Sequence, residues 1–200
     1  MRREIIPIFA EPLSIVYDFL DQKFREKLIN KSEEYSKKVA GKGNCVWYSG
    51  EKSPTNSFGT NTNSCVDQFK LLSTIVEGEV QNLSYSLGSN YKLKLIHSWY
   101  NIYTKDNYQE YHIHPNSYFS AVYNCKMPEG SAPLILTDFT KQAQVIPDQK
   151  DELEISDIYR DQLSINFKEN SLVVFRSHVP HKVPFGENEE NRITFSFNFG

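Results

Sequence analysis

Two hundred residues suit a single domain able to bury a sizeable core, and a net charge of −3 with both signs interspersed argues against an obligatory nucleic-acid partner, because phosphate binding needs a basic face. An aromatic share of 14%, from 13 Phe, 12 Tyr and 2 Trp, fits a β-rich core better than a helical bundle. Cys45, Cys65 and Cys125 form no CxxC unit, so neither a zinc knuckle nor a disulfide framework is indicated, and reduced thiols in a cytoplasmic protein are expected.

The N-terminal run Met1-Arg2-Arg3-Glu4-Ile5-Ile6-Pro7 predicts no signal peptide, and no segment is long enough to cross a bilayer. Over residues 11–40, Leu13, Val16, Tyr17, Leu20, Phe24 and Leu28 fall on one helical face, with Pro12 suited to a first turn. Residues 41–63, rich in Gly, Ser, Asn and Thr, predict a long surface loop. Helical spacing resumes over 64–83 through Val66, Phe69, Leu72, Ile75, Val76 and Val80, and Gly88-Ser89-Asn90 ends that half. The pattern then changes to near-alternation over 91–103, followed by short β-like runs at 118–125, 133–137, 172–175 and 192–199. The polar, acidic stretch 141–161 predicts a loop or flap. The expectation is one domain, with a helical half over about 1–90 packed on a β-sandwich core over about 91–200.

Four of the five histidines fall in two clusters, His112-Ile113-His114 and His178-Val179-Pro180-His181. Residues i and i+2 of a strand share a face, so His112 and His114 project together if 111–115 is extended. Adding His181 from a distant strand gives a three-point metal site with one side open, and imidazole suits iron, copper, zinc and nickel. An HxH pair alone is a weak signal, because histidine is often an ordinary satisfied polar residue. His97 sits on a strand and reads as structural, whereas His178 competes with His181 as the distal ligand. Arg192 follows eleven residues after His181, with Thr194 on the same face. A guanidinium inside an aromatic strand needs an anionic partner, either a bound carboxylate or one of the chain's 25 acidic side chains.

These residues resemble the 2-oxoglutarate- and Fe(II)-dependent oxygenases. That family orders an HxD or HxE pair, a distal His and an Arg about ten residues on, often with Ser or Thr two later. Here the order is His112-x-His114, His181, Arg192 and Thr194, and Tyr103 stands where prolyl-hydroxylase-like members place a tyrosine before the first histidine. The segments His114–Tyr123, Val174–Pro184 and Arg192–Asn198 look like a subgroup of small oxygenases with an HxHP segment. The resemblance covers about residues 92–199. It implies a double-stranded β-helix (jelly roll), Fe(II) on His112, His114 and His181, and 2-oxoglutarate held by Arg192, Thr194 and Tyr103. It also implies hydroxylation of an unknown small-molecule or protein substrate, with Tyr111, Phe175 and Phe195 either as aromatic walls of the site or as plain core residues.

His114 departs from the family's carboxylate. Either it completes an all-histidine face, or it sits off the metal with an acid or water in its place, or the site has lost redox function; the shared strand face favours the first. Asp138 is the nearest downstream acid in a strand-like context. Two other classes remain open, a three-histidine dioxygenase that needs no 2-oxoglutarate and a cupin-like binding module. A homodimer is the commonest assembly if one forms.

Overall fold

The computed structural model describes residues 11–39, 67–139 and 161–200. The expected loop at 41–63 and the flap at 141–161, apart from Asp161, lie outside the described residues. In chain order the elements are strand β1 (Leu13–Val16), helices α1 (Gln22–Val39) and α2 (Asp67–Ser86), then strands β2 (Leu95–Tyr103), β3 (Gln109–His112), β4 (Phe119–Lys126), β5 (Leu134–Thr137), β6 (Gln162–Ile165), β7 (Ser171–Arg176), β8 (His181–Val183) and β9 (Arg192–Phe199). The strands form two antiparallel sheets, a five-stranded one in the order β1-β7-β4-β9-β2 and a four-stranded one in the order β3-β8-β5-β6.

The expected helix over 11–40 is corrected at its start. Leu13–Val16 form an edge strand, with Leu13 opposite Phe175 and Val16 opposite Leu172. Their apolar spacing satisfies a helical template, yet a ladder on β7 captures them, and four residues carry too little local helix preference to resist it. The helix begins only after Asp21, whose carboxylate accepts the Phe24 N–H at 2.9 Å as an N-cap. The end of α2 follows the expected signal. Gly88 sits at φ 81°, and the Gly88 and Ser89 N–H groups return to the carbonyls of Tyr85 and Ser84, the two-bond cap that a left-handed residue permits.

Alternation along the strands divides the core in two. On β9, Ile193, Phe195, Phe197 and Phe199 join Tyr100, Ile102, Tyr123 and Val174 in a cluster closed by Leu28 of α1 and by Phe69, Leu72, Val76 and Val80 of α2. Each of these large side chains contributes about 1.5–3 kcal/mol by leaving water. The opposite face of the same sheet supplies Tyr103, Val173 and Phe175 to a second cluster with Leu134, Leu136, Ile165 and Val183 of the smaller sheet. The two sheets therefore face each other, and the helices cover the outer side of the larger one. Phe195 belongs to the helix-side cluster, packing 5.2 Å from Phe69, which corrects its expected place beside the metal.

One close approach fixes the far corner of the cleft. Gly130, at φ 78°, lies so near residues 187 and 188 that an added Cβ would meet the Glu187 backbone at 2.8 Å. This contact seats Asn188, whose amide donates to the Tyr103 carbonyl at 3.1 Å and the Glu190 carbonyl at 2.7 Å, and so ties down the start of β9.

Candidate metal centre

Three imidazoles converge between the sheets. His112 ends β3 directly opposite His181 at the start of β8. His114 lies two residues beyond β3 and is held by its backbone N–H, which donates to the Ser177 carbonyl at 2.9 Å. Asn116, at φ 62°, turns the chain from His114 towards β4. Ring centroids are 4.1 Å apart for His112 and His181, 4.9 Å for His114 and His181, and 5.1 Å for His112 and His114. One nitrogen from each ring lies within 4.8 Å of the others, and among the described residues no carboxylate joins the group. His114 faces its partners although it lies outside the strand.

Every Nδ1 is already engaged. His112 Nδ1 lies 2.7 Å from the Glu110 carbonyl and His181 Nδ1 lies 2.9 Å from the Val179 carbonyl. His114 Nδ1 lies 2.6 Å from Asn198 Oδ1 and 2.8 Å from Ser120 Oγ. A carbonyl oxygen only accepts, so each Nδ1 carries the proton and each Nε2 keeps a lone pair. This is the tautomer a metal needs, set by outer hydrogen bonds. The His114 Nε2 is buried with no hydrogen-bond partner. An orphaned acceptor of this kind is costly in a dry site, and it fits a ligand atom awaiting its ion.

Burial also keeps these rings neutral. Desolvation lowers the pKa of His112, against the pull of the Glu110 hydrogen bond. It lowers His114 to about 4, with the neighbouring His112 adding to the effect. It holds His181 well below its ordinary value, aided by both other rings. Near neutral pH the three offer lone pairs rather than charges.

The inner face of β9 runs from this cluster to a buried cation. Arg192, Thr194, Ser196 and Asn198 alternate along the strand and all are buried. At the histidine end, Asn198 Oδ1 meets His114 and Ser120, and the Ser120 hydroxyl reaches Ser177 Oγ at 2.8 Å. At the other end Arg192, only 2% exposed, donates from Nη1 to the Ala132 carbonyl at 3.0 Å. Its Nε is buried without a partner, and among the described residues no carboxylate pairs with it. The guanidinium carbon lies 5.1 Å from the ring centroid of Tyr103, the residue opposite Arg192 on β2. Burial raises the Tyr103 pKa, partly offset by the arginine, and lowers that of Arg192.

The fold thus brings His112, His114 and His181 together, sets Arg192 and Thr194 along the polar row of β9 leading away from them, and places Tyr103 of β2 beside Arg192. His178 stands apart: it is exposed and its Nε2 pairs with Glu11 at 2.9 Å. His97 lies on β2 opposite Asn198, outside the ligand group. Asp138 is not in that group either; its backbone N–H donates to the Asp161 carbonyl. Phe175 walls the site, 4.8 Å from His181. Tyr111 instead accepts from Thr137 Oγ1 at 2.9 Å and packs on Phe139 and under Lys182. Sequence reasoning missed Trp99, packed edge-on against His114 at 5.4 Å, and the Ser120–Ser177–Asn198 network. The available signal was parity: a polar residue at every second position of an otherwise aromatic strand marks a buried polar face.

Residues 97–198 match the protein family described as "Putative 2OG-Fe(II) oxygenase", a stretch of 102 residues and so half of the chain. The chain belongs to this family. It is an oxidoreductase that works with Fe(II) and 2-oxoglutarate. No curated protein matches it. Among solved structures, a prolyl-4-hydroxylase from Pseudomonas putida aligns with a TM-score of 0.63 at 12% identity, over 95% of this chain and 92% of the other. A prolyl hydroxylase from Trichoplax adhaerens, in complex with a hypoxia inducible factor peptide fragment, aligns with a TM-score of 0.64 at 15% identity, over 94% and 82%. The non-heme alpha ketoglutarate dependent carbocyclase SnoK from nogalamycin biosynthesis gives 0.68 at 12% identity, over 94% and 79%. At these identities the structural likeness establishes the double-stranded β-helix fold, which is the arrangement of facing sheets described above. The donor set fits the family's ion: three neutral imidazoles, each with its proton on Nδ1, suit Fe(II).

Proposed function

We propose that the protein is a 2-oxoglutarate-dependent hydroxylase whose iron is held by an all-histidine face, His112, His114 and His181. The observation that carries this is the convergence of the three imidazoles together with a buried Arg192 on the same inner face that pairs with no carboxylate among the described residues. In this reading Arg192 grips the distal carboxylate of 2-oxoglutarate as a two-pronged pair, which supplies the anion its burial demands. Thr194, on the same face two residues on, adds a hydroxyl, and the Tyr103 ring stacks beside the guanidinium and orients it. The bound iron, with 2-oxoglutarate and oxygen, supplies the oxidising power that this family uses.

The chain's own residues do the rest. Asn198 and Ser120 fix the His114 ring through Nδ1, so that Nε2 would hold the ion in the place where the family pattern has an acid. Three neutral ligands leave the ion's full charge to be met by the anionic cosubstrate, which favours its binding in a dry cleft. Phe175 and Trp99 pack on two of the ligand rings and limit water there. The reading includes a cytoplasmic setting, in keeping with the free, buried Cys125, whose thiol pKa burial pushes up to about 12. Among the described residues no helix is long and apolar enough to cross a membrane.

The decisive experiment adds 2-oxoglutarate to the Fe(II)-loaded protein under argon. A weak visible absorption band that saturates with 2-oxoglutarate, and succinate release coupled to oxygen uptake once air is admitted, is the expected result. Oxygen uptake with no dependence on 2-oxoglutarate would instead assign a three-histidine dioxygenase. No band and no uptake would leave a metal-binding module.

A further inference from the structure

A second concavity lies on the other side of the larger sheet. It is a cavity of about 340 Å³, at the lower end of small-molecule pockets, and its lining includes Arg176, Tyr118, Phe119, Ser84 and Glu11. Arg176 stands opposite Phe119 in the β4–β7 ladder, and Phe119 belongs to the helix-side cluster. Their neighbours Phe175 and Ser120 face the histidines. The sheet itself therefore separates this cavity from the metal cleft.

Two polar atoms in its wall lack hydrogen-bond partners among the described residues. The Arg176 guanidinium stacks on Tyr118, its carbon 3.8 Å from the ring centroid and 5.6 Å from that of Phe119. Its Nε is buried without a hydrogen bond, and among the described residues it forms no ion pair. From α2, Ser84 is 1% exposed and its hydroxyl is buried with no partner. Glu11, the acid at the cavity, accepts from His178 at 2.9 Å. A stacked cation, a dry hydroxyl and an aromatic floor around one cavity are complementary to an anion with a flat apolar body.

We propose that this cavity is a binding site for a small aromatic or apolar carboxylate, its oxygens accepting from Arg176 and Ser84 and its body lying on Tyr118 and Phe119. The site is wired to the metal centre without touching it. Ser177, the residue after Arg176, donates its N–H to the Tyr118 carbonyl at 3.1 Å, accepts from His114 N–H at 2.9 Å and meets Ser120 Oγ at 2.8 Å. An occupant that clamps Tyr118 and Arg176 therefore stiffens the frame that holds His114, which makes this an accessory, effector-type site.

The test is calorimetric titration of benzoate into the full chain, loaded with Fe(II) under argon and saturated with 2-oxoglutarate so that the Arg192 position is filled. Saturable one-to-one binding of benzoate is expected, with neutral benzamide at least about tenfold weaker, since a charge-assisted pair is replaced by a neutral one. Arg176→Gln is expected to weaken benzoate by at least about tenfold while 2-oxoglutarate affinity stays within about twofold. Ser84→Ala, a small change inside a helix, is expected to weaken it several-fold and keeps the test open if the first variant fails to fold. No saturable heat with benzoate, equal affinity for benzamide, or undiminished binding in a folded variant overturns the assignment.

Discussion

Arg192→Met separates a ligand-binding arginine from a structural one. Methionine is unbranched and fills much of the guanidinium's channel without charge. In the ligand-free protein the substitution removes the hydrogen bond to the Ala132 carbonyl and the contact with the Tyr103 ring, together with a buried cation that no described carboxylate compensates. The losses are about 1–2 kcal/mol and the relief of the uncompensated charge is a gain of similar size, so stability is expected to change by less than about 1 kcal/mol. Binding responds differently. Truncating one partner of a buried charge pair removes about 2–5 kcal/mol, which weakens 2-oxoglutarate by roughly 30-fold or more. With Fe(II) under argon and 2-oxoglutarate at about 100 times its dissociation constant, the parent protein gains about 2.7 kcal/mol, or roughly 5–11 °C in melting temperature. At the same concentration the variant gains at most about 0.9 kcal/mol, or under about 4 °C. The assay is a thermal melt with and without 2-oxoglutarate. A ligand-free loss above about 3 kcal/mol with an undiminished 2-oxoglutarate shift would show that Arg192 is a structural residue and would refute the reasoning.

Three further outcomes are expected. His181→Ala abolishes iron uptake measured by metal analysis, whereas His178→Ala leaves it intact, because His178 is exposed and paired with Glu11; the reverse result moves the distal ligand. Asn198→Leu takes the acceptor from His114 Nδ1 and lowers iron affinity by about 10–100-fold, while Asn198→Asp keeps the acceptor and retains binding; equal affinity in both variants would show that the ring needs no such support. The metal-free protein loses stability on acidification. A histidine whose folded pKa is lowered leaves the unfolded chain binding more protons, so stability is complete above the unfolded value of 6.5 and falls as pH drops towards about 4 for His114. His114 alone contributes a loss of about 2 kcal/mol between pH 7.5 and pH 5, read from urea unfolding, and His112 and His181 add in the same direction. Stability that is flat or rises at pH 5, or that is unaffected by His114→Gln, contradicts the burial of these rings as neutral groups.

The residues that gather at the candidate site were legible because they stand out by side-chain identity and local spacing. His112, His114, His181, Arg192, Thr194 and Tyr103 are named by type and order, and strand parity assigns Arg192 and Thr194 to a common face. The network behind His114 was not legible. Ser120, Ser177 and Asn198 come from three strands, and nothing local says that a serine on β4 will meet an asparagine on β9. The same limit explains Leu13–Val16, where apolar spacing agreed with a helix but pairing with β7 chose a strand. Phe195 is a different case: strand parity already places it opposite Arg192's face, towards α2, so proximity in sequence to the site residues was a poor guide to its neighbours.

The sequence by itself determined the order of the candidate donors His112, His114 and His181, the place of Arg192 inside an aromatic strand, and the alternation that sends aromatic residues one way and polar residues the other along β9. These follow from covalent geometry and from the transfer of each side chain out of water, which act residue by residue. Only the tertiary structure decided which nitrogen of each histidine carries the proton, since that depends on the carbonyls and the amide that the fold sets beside each ring. It alone decided that His178 turns outward to Glu11 while His181 turns inward, and that Arg176 and Ser84 share a cavity behind the metal. Those outcomes are set by contacts between distant segments, whose free energy exists only once the sheets have closed.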